Sequence, residues 1–210
     1  MAQRIKATPG ITGLSCPRVH IDGKVWHLGK AIPYGVYDVG RNEGFVSVGT
    51  DHDTPVFAVT SIEAWWKRVG QKRYPDAREI FITADAGGSN GYRLHVWKHE
   101  LQRFADRIGR SIRVSHFPPG TSKWNKVEHR LFSFISINWR GRPLRTYETV
   151  ISTIGHTTNY GGLVVRARLD RRHYPIGKKV TAKQMRELRI ERDSFHGEWN
   201  YVIRPHEESP

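Results

Sequence analysis

Between Ile32 and Trp139 the chain switches repeatedly between strand-like and helix-like patterning, and this alternation restricts its fold more than any other feature. IPYGVYDVG and GFVSVG are strand-like, and the turn residues Arg41-Asn42-Glu43-Gly44 join them, which predicts a β-hairpin. Thr54 followed by Pro55 marks a helix start, after which Ala58, Ile62, Trp65, Trp66 and Val69 fall on one helical face. The apolar run Ile80 to Ala84 is a buried strand ended by Asp85 and the glycines of AGG. Leu94, Trp97, Leu101, Phe104, Ala105 and Ile108 recur at helical spacing, and Gly109 closes that helix. SIRVSHF is a further strand, and a helix follows from about Lys123 to Trp139. The order hairpin, helix, strand, helix, strand, helix predicts an α/β fold: a mixed sheet flanked by helices.

Beyond Arg140 lies a smaller basic α+β extension. TYETVISTIGHTT is helical in pattern, and GGLVVRARLD alternates, with Leu163, Val165, Ala167 and Leu169 on one side and Arg166 and Arg168 on the other. Thr181 and Gln184 form a capping box before a basic helix holding Met185, Arg186, Leu188, Arg189 and Arg192. FHGEWNYVI supplies aromatics that dock back on the body. Residues 1–30 have weak periodicity, with a short strand in VHIDGKVWHLG. These divisions give an N-terminal segment 1–28, a core 29–140 and an extension 141–210 packing on the core.

The net charge of +14 is concentrated in two blocks. Residues 103–145 hold ten Lys and Arg against two acids, and 161–193 hold ten against four, so the remainder is neutral. Such blocks read as a surface for polyanions, nucleic acid first among them, with a merely solubilising surface as the alternative. Cys16 is the single cysteine, which excludes an intramolecular disulfide framework and a cysteine-based zinc cluster. No apolar run approaches the roughly 18 residues of a membrane span, and MAQRIKATPG lacks the apolar segment of a signal peptide. A cytoplasmic location is therefore expected.

Two acids stand out. Asp85 ends a strand and is followed by a glycine-rich turn, where ligands collect in open α/β sheets. A turn-organising aspartate is the plainer alternative. Glu128 has no cation at helical neighbours: positions three and four residues away hold Trp124, Asn125, Leu131 and Phe132. A carboxylate on that side either points into a site or is expensively placed. An Asp at a strand end with a Glu on a later helix suits a divalent metal such as Mg²⁺, singly or as a two-metal site acting on a phosphodiester. The surrounding Lys123, Lys126 and Arg130 would then hold the DNA backbone, with Arg140, Arg142, Arg166 and Arg168 extending the basic surface and Asn125 supporting the ligands. His95 and His99 are spaced i, i+4, but HVWKH lacks the glutamate of a zinc-binding HExxH helix. His116, Asn125 and His129 invite comparison with HNH nucleases, although an acid-bearing helix replaces the metal motif of those enzymes.

AIPYGVYDVGRNEGFVSVGTDHDT, ITADAGGSNG, HFPPGTSKWNKVEHRLFSFISINWRG and FHGEWNY occur in this order and strongly resemble the Rhodopirellula-type DDE transposases of bacterial insertion sequences, over about Gly29 to Ile203. The resemblance implies a ribonuclease H-like core, DNA strand cleavage and transfer by three acids with Mg²⁺ or Mn²⁺, and action on the bacterial nucleoid. Double-stranded DNA, both transposon ends and target, is the implied partner, and a homo-oligomer is the usual assembly. The second acid maps to Asp85 and the third to Glu128, 43 residues on. The first acid, carried by relatives in a VDT-like motif on the opening strand, has no counterpart. The core is therefore expected to lack its first strand, as a truncated frame or one completed by a separately encoded N-terminal part. Asp38 is the leading substitute and Asp22 the next; Asp51 and Asp53, just before a helix, read as acids favoured by its dipole. A non-catalytic DNA-binding remnant is the alternative function.

Overall fold

The computed structural model describes residues 3–8, 14–15, 19–21, 24–26, 30–118, 120–121 and 124–207, with side chains from residue 30 onward. The chain begins with β1 (Gln3–Thr8), β2 (Leu14–Ser15), β3 (Val19–Ile21), β4 (Lys24–Trp26), β5 (Lys30–Asp38) and β6 (Glu43–Gly49). α1 (Pro55–Trp65) continues through a π-helical turn, Trp66–Gly70, and precedes β7 (Glu79–Ala84), α2 (His95–Ile108) and β8 (Ser111–His116). A second π-helical turn, Glu128–Phe132, runs into α3 (Ser133–Trp139). Then come α4 (Tyr147–Gly155), β9 (Val164–Asp170), α5 (Ala182–Arg186), β10 (Ile190–Arg192) and β11 (Asn200–Ile203).

The main sheet runs β10-β11-β8-β7-β1-β5-β6-β9, with β2 pairing beside β5 and β3 with β4 forming a separate ribbon. β1 lies antiparallel to β5 and parallel to β7. It fills the central place that the sequence reading leaves vacant. QRIKAT offers only two apolar residues, Ile5 and Ala7, too short a pattern to announce a strand. The extension likewise joins the sheet instead of only packing on it: β9 pairs parallel with β6 at one edge, and β11 antiparallel with β8 at the other. The predicted basic helix after Thr181 is short. Its capping box forms as expected, but the chain leaves the helix after Arg186, and Arg192 lies in β10.

β5 is buried on both faces from Ala31 to Asp38, which is why its sequence shows no clean alternation. One face carries Tyr34, Val36, Ile80, Ile82, Ile112 and Val114 against α1 and α2, where Phe57, Trp65, Trp97 and Phe104 fill the layer. The opposite face carries Tyr37, Val46 and Val48 against Val127, Leu131, Phe132, Ile135 and Ile154 from α3, its π turn and α4. Each such buried apolar side chain contributes about 1.5–3 kcal/mol. Local signals set the ends of these helices. Thr54 Oγ1 accepts from Phe57 N at the start of α1, and Gly109, at φ 60°, closes α2 in the left-handed region.

Two glycines bring the Glu128-bearing helix onto the sheet. A Cβ on Gly44 would lie 2.5 Å from Leu131 Cδ1, and one on Gly35 would lie 2.7 Å from the Phe132 ring. Only strands without side chains at these points permit that approach.

Candidate active site at the carboxyl end of the sheet

β1, β6, β7, β8 and β9 all point the same way. Their carboxyl ends therefore share one edge of the molecule, the place where open α/β sheets gather ligands. That edge holds Asp85 after β7, Asp53 after β6, and the segment from Phe117 onward after β8. A cleft of about 550 Å³ opens there, lined by Asp85, Gly88, Tyr92, Phe117 and Pro118 among others. A second cavity of about 670 Å³ shares Gly88, Arg93 and Leu94 with it and is also lined by Asp53, His95, Lys178 and Lys179.

Asp85 is held from two directions. Asn125 Nδ2 donates to Oδ1 at 3.1 Å and to Oδ2 at 3.0 Å. Asn125 Oδ1 accepts from Val127 N at 3.1 Å, so the same side chain caps the helix that starts there. That cap fixes the amide orientation, because only its oxygen can accept the backbone N–H. From the other side, the Asp85 carbonyl accepts from His116 Nδ1 at 3.0 Å. With Nδ1 carrying the proton, His116 Nε2 accepts from the Tyr201 hydroxyl at 3.0 Å, and that hydroxyl accepts from Trp97 Nε1, also at 3.0 Å. Burial lowers the His116 pKa to about 4, offset by its bond to the Asp85 carbonyl and reinforced by nearby Lys98. Held between the Asp85 carbonyl and the Tyr201 hydroxyl, the neutral ring buttresses the backbone beneath Asp85. The sequence reading placed His116 in a nuclease comparison and missed this role, which depends on Tyr201, 85 residues away.

Glu128 is placed differently from expectation. Regular helical spacing would set it beside Leu131 and Phe132, but both of these are buried while Glu128 is exposed. The π-helical turn that Glu128 begins widens the helix and shifts the register, so Val127, Leu131, Phe132 and Ile135 form the buried stripe. Glu128 stands on the solvent side, three residues beyond the Asn125 that holds Asp85. Lys126 and Arg130 are exposed on the same helical segment. Lys123 and Asp22 lie outside the described residues.

Asp38 is not brought to this edge. It ends β5, which runs opposite to its neighbours, and lies across from Ile5 at the other end of the sheet. Its Oδ1 accepts from Gly40 N and Arg41 N, and its Oδ2 from the Tyr74 hydroxyl, so it organises the hairpin turn. β1 itself, the strand paired beside β7, contains neither Asp nor Glu. Among the described residues, no three His, Cys, Asp or Glu side chains converge as a metal cluster.

Asp53 does reach the edge. Burial raises its pKa, with the Ser89 hydroxyl and Lys30 acting against that rise. Its Oδ1 is buried without a hydrogen-bond partner, as are the Tyr34 hydroxyl and the Asn90 amide atoms. Tyr34 feels both Asp53 and Asp85 electrostatically. Asp51, by contrast, accepts from Tyr174 N and faces His52 and His173, and serves the loop after β9.

The predicted basic surface divides. Arg140 and Arg142 are exposed but follow the far end of α3, roughly 18 Å along the helix from Glu128 at 1.5 Å per residue. Arg166 pairs with Glu43 at 2.9 Å, and Arg168 lies 3.4 Å from Asp170. Both are on β9, four strands from β7, or about 19 Å at ~4.8 Å per strand. His99 faces Glu100 at 3.3 Å.

A five-strand core ordered β6-β5-β1-β7-β8, an acid at the end of β7 and a glutamate on the helix after β8 define a ribonuclease H-like domain of the DDE transposase class. The family described as Rhodopirellula transposase DDE domain matches residues 20–205, and the chain belongs to that family. Comparison with curated proteins and with solved structures returned no match. No helix among the described residues is long and apolar enough to cross a membrane.

Proposed function

We propose that this transposase-family domain performs metal-dependent DNA strand cleavage and transfer at the edge defined by Asp85. The observation that carries the reading is Asp85 itself: a carboxylate clamped by Asn125 on an open cleft at a strand end. Two carboxylates, Asp85 and Glu128, would hold Mg²⁺ or Mn²⁺, a donor set that such ions complete with substrate phosphate oxygens. The ion would supply charge neutralisation at the phosphodiester. Asn125 would keep Asp85 oriented, and His116 would fix the backbone beneath it. Lys126 and Arg130 would hold the DNA backbone. The reaction is hydrolysis of one phosphodiester, leaving a 3′-hydroxyl and a 5′-phosphate. That 3′-hydroxyl then attacks a target phosphodiester, forming one new P–O bond as the target strand's bond breaks.

Asp53 is the best-supported candidate for a further acid, because it shares the edge with Asp85 and has a buried oxygen without a partner. A second reading, a DNA-binding domain without metal chemistry, is favoured by one observation: β1 carries no acid. Nicking of supercoiled plasmid in Mn²⁺ separates the two. The catalytic reading expects nicked product from wild type and none from Asp85→Asn. Equal product from both removes Asp85 from the reaction, and plasmid binding with no nicking at all favours the second reading.

A further inference from the structure

An aromatic track leaves the Asp85 cleft and ends on the surface. Tyr92 lines the cleft, and the Trp199 ring lies edge-on to it at 6.1 Å. His196 stacks on Trp199 at 5.0 Å, with their planes 20° apart, and Phe195 meets His196 at 4.5 Å. Phe195 is 72 % exposed. The track belongs to the same edge as Asp85, because the Trp199 carbonyl accepts from His116 N at 3.0 Å.

The outer turn is built to hold these rings in place. His196 adopts φ 48°, an uncommon left-handed conformation for a residue with a side chain. Asn200 Nδ2 donates to the Phe195 and His196 carbonyls, and Asp193 Oδ1 accepts from Phe195 N. A Cβ on Gly197 would lie 2.6 Å from the Asp193 carbonyl, so the turn closes only with glycine there. A turn this constrained, presenting a largely exposed phenyl ring, does not serve the core. Cations flank it: Arg93 sits over the Tyr92 ring at 5.1 Å, and Arg192 Nη1 donates to the Gly197 carbonyl.

We propose that Phe195, His196 and Trp199 form a stacking subsite for unpaired nucleobases of the DNA strand processed at Asp85, with Arg93 and Arg192 facing its phosphates. This rests on the DNA reading above. Bases inside a duplex have both faces covered by their neighbours, so away from duplex ends an exposed ring can stack only on a base that has left the helix. A strand opened next to the reacting phosphodiester supplies such bases.

The test compares a blunt fluorescein-labelled duplex with the same duplex carrying three unpaired thymidines, by fluorescence anisotropy at low salt. Wild type is expected to prefer the tailed duplex by about tenfold, the order expected when an aromatic ring stacks on an unpaired base. In the double variant Phe195→Ala/His196→Ala the ratio should fall to about one. Circular dichroism matching wild type would establish that the turn variant folds. An unchanged ratio in the variant, including an equal loss on both duplexes, overturns the subsite. So does sedimentation showing that the substitution converts a dimer to a monomer with the ratio preserved, since a second copy would then cover the ring. Failure of wild type to bind either duplex overturns the DNA reading itself, a distinct result.

Discussion

Asn125 holds both carboxylate oxygens of Asp85 with one amide nitrogen, and its oxygen caps the helix that carries Glu128. One side chain, 1 % exposed, thus couples the end of β7 to the start of the helix that follows β8. Asp85 and Glu128 are 43 residues apart in the sequence.

Asn125→Ala removes the cap and the clamp together. Loss of the cap alone costs about 1 kcal/mol. Urea denaturation should show a loss of about 1–3 kcal/mol, since Asp85 also gives up a charge-assisted partner. Mn²⁺ affinity should fall about 10–100-fold, as for groups that orient metal ligands. A stability loss with unchanged Mn²⁺ affinity would mean that the clamp has no bearing on the site.

The pH dependence of stability should carry the signature of His116. The folded protein holds this ring neutral, with a pKa near 4 against 6.5 ordinarily. The unfolded chain therefore takes up the proton first, and stability present above pH 6.5 is lost as the pH falls toward about 4. Between pH 7 and pH 5 this amounts to about 2 kcal/mol. Urea midpoints measured at both values should converge in His116→Gln relative to wild type. An equally steep loss in that variant would place the proton uptake elsewhere.

Gly35 and Gly44 permit the close approach of Phe132 and Leu131. Gly35→Ala should cost about 1–3 kcal/mol, the range for overpacking a filled core. The rigid ring offers less relief than a leucine terminus, so Gly44→Ala should cost less. Thermal denaturation of both variants checks this order, and the reverse order would contradict the packing described.

The helix–strand alternation made most of the core legible from sequence, because β7, α2 and β8 each carry a strong single period and clear end signals. β1 was not legible. QRIKAT becomes a strand only through pairing with β5 and β7, contacts that no local pattern announces. The place of Asp85 at the end of a strand could be read, but the buttress of His116, Tyr201 and Trp97 could not, because it joins three distant elements. Glu128 lies on the expected helix but on its solvent side, because the π-helical turn breaks the regular helical period.

DNA affinity as a function of salt should separate the basic residues. Lys126→Ala and Arg130→Ala should each reduce the magnitude of the log–log salt slope by about 1, the effect of one lost phosphate contact. Arg166 is already paired with Glu43 and lies at the other edge of the sheet, so Arg166→Ala should leave the slope unchanged. A larger effect from Arg166 than from Lys126 would move the DNA track to β9.

The central claim is that Asp85 anchors a divalent cation. Isothermal titration of Mn²⁺ into wild type, Asp85→Asn and Glu128→Gln tests it most directly. Wild type should give a saturable isotherm, Asp85→Asn should abolish it or weaken it at least tenfold, and Glu128→Gln should weaken it. Indistinguishable isotherms from all three proteins would contradict the claim.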